Sequence, residues 1–71
     1  MEKSKNLIEG LQEEIDRVQK IATEYKSIKG GAGMFAATFM ELSIATAKRQ
    51  IATGDTIGMI VSLKELKEYE T

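Results

Sequence analysis

Gly30, Gly31 and Gly33 stand directly before a run of small and apolar residues, Met34 to Ala47, that holds one charge, Glu41. Glycines let an anion approach the backbone, and the N–H groups at a helix start point toward it, so this junction is a candidate anion cradle. Tyr25 and Tyr69 have flat rings that could stack on a base and polar tips that suit a pocket rim. Lys26 and Lys29 could neutralise charge beside the glycines, with Met34, Phe35 and Thr38 lining the site. Lys48 and Arg49 lie roughly 22 Å further along the same helix and could serve a ligand only from an antiparallel neighbour, Arg49 through bidentate contacts. Each feature also has a plain structural reading. The glycines would be a helix C-cap and a turn, the tyrosines edge-of-core packing, and Lys48-Arg49 a solvated helix end.

The glycine segment is neither of the familiar phosphate-binding motifs. It lacks the Lys-Ser/Thr ending of a P-loop, and no strand precedes it as in a dinucleotide fold. The inventory for catalysis is poor: the chain has no His and no Cys, and Glu41 is an isolated acid that could equally pair with Lys or Arg. We expect no catalytic residues, no metal and no cofactor.

Three helices would position these groups. Ile8, Leu11, Ile15, Val18, Ala22 and Tyr25 recur at spacings of 3 and 4, the seam of a helical bundle. They predict a first helix over 4–27, with Ser4 as N-cap and Gly30 as C′ residue. Gly10 weakens it or permits a close crossing. A second helix is expected over 34–52. Thr53-Gly54-Asp55 then stops it and starts a third over 56–69, Gly54 closing one helix and Asp55 capping the next. On the third helix Ile57, Ile60, Val61, Leu63 and Leu66 are expected to form the apolar stripe, broadened by Met59. The expected fold is all-α, a three-helix antiparallel bundle or a helical hairpin plus third helix, in a single domain over 1–71. The return of the third helix would gather Tyr25, Lys26, Lys29, the glycines, Phe35, Lys67 and Tyr69 at one end.

A chain of 71 residues has little core of its own. The second helix is apolar around nearly its whole circumference and must be buried on more than one side. We therefore expect a homo-oligomer, with Met34, Phe35, Phe39, Met40, Leu42 and Ile44 as the material for it. A formal net charge of −1 lacks the basic stripe of a nucleic-acid-coating protein. No apolar run reaches the ~20 residues of a membrane span, and MEKSKNL starts no secretory signal, so a cytoplasmic setting is expected.

The segment Gly31-Ala32-Gly33-Met34-Phe35, then Met40, Ala52-Thr53-Gly54-Asp55, Met59 and Leu63-Lys64-Glu65-Leu66-Lys67-Glu68-Tyr69-Glu70 resembles small all-helical proteins encoded by bacteriophages. Within that group the chain is similar to the anti-CBASS sponges, which oligomerise and sequester cyclic-nucleotide immune signals between protomers. The resemblance implies a ligand site built from the glycine loop with nearby aromatics and lysines. Two functions are thus expected: sequestration of a small anionic ligand such as a cyclic nucleotide, or, alternatively, a protein-interaction module or inhibitor of a host protein.

Overall fold

The computed structural model describes residues 6–28 and 31–70. Three helices, α1 (Leu7–Lys26), α2 (Ala32–Thr53) and α3 (Thr56–Lys67), make up the fold, with no strand among the described residues. The chain is all-α, as expected.

The N-terminus of α1 is set by Asn6. Its Oδ1 accepts the Glu9 N–H at 2.8 Å, while Glu9 reaches back to the Asn6 N–H, a reciprocal capping box. The expected cap, Ser4, lies outside the described residues. At the other end Ser27 is the C-cap, its N–H bonded to the Glu24 carbonyl at 3.1 Å. The helix therefore closes before Gly30, the expected C′ residue, which also lies outside the described residues.

α2 begins two residues earlier than the sequence suggests. Gly31, at φ 78°, turns the chain in the left-handed region and becomes the N-cap. Gly33 is thereby drawn into the first turn of the helix and is buried against α1. The junction to α3 follows the expectation closely. Gly54 adopts φ 73°, and the Asp55 N–H reaches the Gln50 carbonyl at 2.9 Å, the six-to-one bond of a Schellman closure. Asp55 then caps α3 by accepting the Gly58 N–H at 2.9 Å.

Cross-links give the topology. Lys26 pairs with Glu41, and Lys48 shares a groove with Gln12, so α2 runs back along α1. Ser62 bonds Gln50 and Tyr69 bonds Ser43, so α3 runs back along α2. The bundle goes up, down and up. The core is Leu11, Ile15, Val18, Ile21 and Ala22 from α1, Ala37, Met40, Ile44 and Ala47 from α2, and Met59 and Leu66 from α3.

The orientation of α3 departs from the sequence reading. Met59, Ser62 and Leu66 face inward, whereas Ile57, Ile60 and Val61 are 78%, 48% and 59% exposed. Gly58 lies on the inward side. A Cβ there would lie 2.5 Å from the Asp55 carboxylate and 2.7 Å from Gln50, so this hydrogen-only position is where α3 meets α2. Ser62, one turn on, donates to the Gln50 side-chain oxygen Oε1 at 2.6 Å on the same face.

Gly10 is not a close crossing, because a Cβ at that position would meet nothing within 4 Å. The molecule is elongated and thin, 45 × 23 × 15 Å, with a radius of gyration of 13.0 Å. A compact domain of this length would have about 11 Å.

Candidate functional site

The glycine end is built by a close approach between α1 and α2. Gly33 sits on the last turn of α1, where an added Cβ would come within 2.1 Å of the Tyr25 carbonyl oxygen. Its missing side chain thus admits protein backbone, so Gly33 does not offer an open cradle. Gly31 is exposed and, being glycine, supplies no side-chain acceptor to the first-turn N–H groups of α2; that turn carries no acidic residue. Lys29 and Gly30, the remaining expected members of the cradle, lie outside the described residues.

The side chains assigned to charge and stacking already have partners. Lys26 forms an ion pair with Glu41, both side chains remaining substantially exposed. Glu41, the isolated acid of the sequence, is thereby accounted for within the chain. Tyr25 donates its hydroxyl to the Glu70 carbonyl at 3.1 Å. The Tyr69 hydroxyl lies 3.0 Å from Ser43 Oγ, ten residues into α2 from Gly33 and roughly 15 Å along its axis. Tyr25 does lie at the glycines, its backbone against Gly33 and its hydroxyl on the residue after Tyr69, whereas the Tyr69 hydroxyl is spent further along α2. The C-terminus of α3 does return in that direction, but it is held at mid-length by Arg17. The Arg17 guanidinium donates to the Leu66 carbonyl at 2.8 Å and the Tyr69 carbonyl at 2.9 Å, and is braced by Glu14 at 2.9 Å.

Lys48 lies at the opposite end of the bundle, lining a shallow groove of about 350 Å³ with Gln12, Ile15, Asp16 and Ile51. A neighbouring depression is lined by Glu9, Gln12, Glu13 and Asp16, an acidic surface that suits no anion. Arg49 is exposed on the outside of α2. Among the described residues no group of three or more His, Cys, Asp or Glu could hold a metal. Nor, among them, is any helix long and apolar enough to cross a membrane.

What the structure does concentrate is apolar surface. On α2, Phe35 is 77% exposed, Phe39 62% and Leu42 59%, with Met34 beside them. Of the six residues expected to drive assembly, Met40 and Ile44 turn inward and these four turn outward. On α3, Ile57, Ile60 and Val61, members of the expected apolar stripe, face away from the bundle as a second outward cluster. The signal in the sequence was Gly58 and Ser62, which mark the contact face by their small size. No protein-family model, curated protein or solved structure matches the chain.

Proposed function

We propose that this protein is a non-catalytic, homo-oligomeric interaction module, in which the outer face of α2 assembles copies and the outward cluster on α3 meets a protein partner. One observation carries this reading: Phe35, Phe39 and Leu42 lie exposed on one side of one helix, as Ile57, Ile60 and Val61 do on another. Soluble monomers rarely leave contiguous apolar patches larger than a few hundred Å² in water, and such patches mark association sites. The hydroxyls of Tyr25 and Tyr69, the Lys26 ammonium and the Gly33 face are meanwhile engaged inside the chain.

The second reading, sequestration of a cyclic nucleotide or similar small anion by a bacteriophage protein in a bacterial cytoplasm, draws on the resemblance and on one observation. The N-terminus of α2 begins at an exposed glycine and has no acid in its first turn, leaving the positive end of the helix dipole without an opposing carboxylate there. Assembly would have to bring Arg49 or Lys48 of another protomer to that end.

Native mass spectrometry of the purified protein, with and without cyclic di- and trinucleotides, tests both. The expected result is an oligomer at micromolar concentration. A monodisperse monomer overturns the module reading, and discrete nucleotide masses on an oligomer would put the second reading first.

A further inference from the structure

α2 has two seams on opposite sides. The inner one, Gly33, Ala37, Met40, Ile44 and Ala47, is buried in its own bundle. The outer one, Phe35, Thr38, Leu42, Ala45 and Arg49, recurs at spacings of 3, 4, 3 and 4, and every member is exposed. Both follow the heptad rhythm of helices that pack along their length. The charges of α2 are Glu41, Lys48 and Arg49, and Glu41 is turned aside to Lys26 of α1. From Phe35 to Ala45 the outer seam is therefore uncharged.

We infer that this outer seam packs antiparallel on the same seam of a second copy, about a two-fold axis passing close to Leu42. The inference rests on the self-association proposed above and names its interface and direction. The seam begins on an aromatic ring and ends on a cation, with small Thr38 and Ala45 on either side of Leu42, so an isologous antiparallel contact joins unlike ends. With the axis at Leu42, Thr38 lies beside the partner's Ala45 on the same flank, and Phe35 meets the partner's Arg49, so a guanidinium lies over a ring twice in the dimer. A parallel pairing would set Phe35 on the partner's Phe35 and Arg49 on the partner's Arg49, like charges face to face. The area is adequate. At their exposures Met34, Phe35, Phe39 and Leu42 present roughly 450 Å². Thr38, Ala45 and the Arg49 stem extend this toward the ~800 Å² per partner of a stable interface.

The chain has no cysteine, so single-cysteine variants report the geometry directly. Leu42→Cys should oxidise to a covalent dimer, because the two sulfurs meet at the axis within the ~7 Å Cα separation a disulfide tolerates. Phe35→Cys should not, since its two copies lie about 21 Å apart along the antiparallel pair. Sedimentation velocity of the unmodified protein is run alongside, and circular dichroism checks that both variants keep their helices. Leu42→Glu should remain helical and shift the chain to monomer. A monomeric unmodified protein would overturn self-association and the interface together. An oligomer in which Leu42→Cys stays uncrosslinked, or Phe35→Cys crosslinks equally well, would overturn the antiparallel seam while leaving self-association intact. Crosslinking through Ile57→Cys in place of Leu42→Cys would move the interface to α3.

Discussion

Gly33 and Gly10 have the same side chain and opposite reasons for it. At Gly33 a methyl group would collide with the Tyr25 carbonyl oxygen at 2.1 Å, and backbone on both sides leaves no flexible side chain to yield. Gly33→Ala should therefore destabilise the protein by about 1–3 kcal/mol, the range of overpacked contacts. At Gly10, inside α1 with open space around it, Gly10→Ala should add about 0.5–1 kcal/mol through helix propensity. Thermal or urea denaturation of the two variants checks the pair, and equal effects would contradict the close approach. The Lys26–Glu41 pair belongs in another class. Both partners are substantially exposed, so its contribution lies in the ~0–1 kcal/mol range of surface pairs.

α3 is the shortest helix and has the least internal support, with 12 residues against 20 and 22 in α1 and α2. Its placement depends on polar fastenings at both ends. Asp55 and Gly58 hold the start against Gln50, and Arg17 holds the carbonyls of Leu66 and Tyr69 at the finish. These carbonyls lie at the helix C-terminus, where a cation also suits the dipole. Arg17→Ala should cost about 2 kcal/mol, two bonds from a partly exposed charged donor. Faster amide hydrogen exchange should appear in α3 before α1 or α2. Arg17→Lys should recover only part, because an ammonium cannot reproduce the planar fork that reaches both carbonyls. Uniform loss of protection across all three helices would show that α3 is not separately fastened.

Three helices leave α2 only two neighbours, and both lie on its Gly33–Ala37–Met40–Ile44–Ala47 side. The apolar residues of its second face are left outside, and the proposed association would cover them. If so, stability must depend on protein concentration by mass action. For a dimer of chains this size, Tm should rise about 5 °C for each tenfold increase in concentration. Differential scanning calorimetry over two decades of concentration measures this, and a constant Tm would argue for a monomeric folded state.

The helices, their number and the Gly54-Asp55 junction were legible in the residues, because periodicity and capping act over a few neighbours and need no knowledge of the rest of the chain. The uniformly apolar character of α2 was legible for the same reason. Its division into an inner and an outer seam was not. That division, like the roll of α3, depends on which helix reaches which face: Gly33 admits the Tyr25 backbone by steric room, and Ser62 fastens α3 to Gln50 by a hydrogen bond. The gathering of Tyr25, Lys26 and Tyr69 at the glycines was a reasonable reading of helix lengths. The fold keeps the Tyr25 backbone at Gly33 and engages the three side chains with Glu70, Glu41 and Ser43, partners that only the packing of the helices brings within reach. Local patterns determined the elements; only tertiary contact decided which of their faces were used up and which remained to bind.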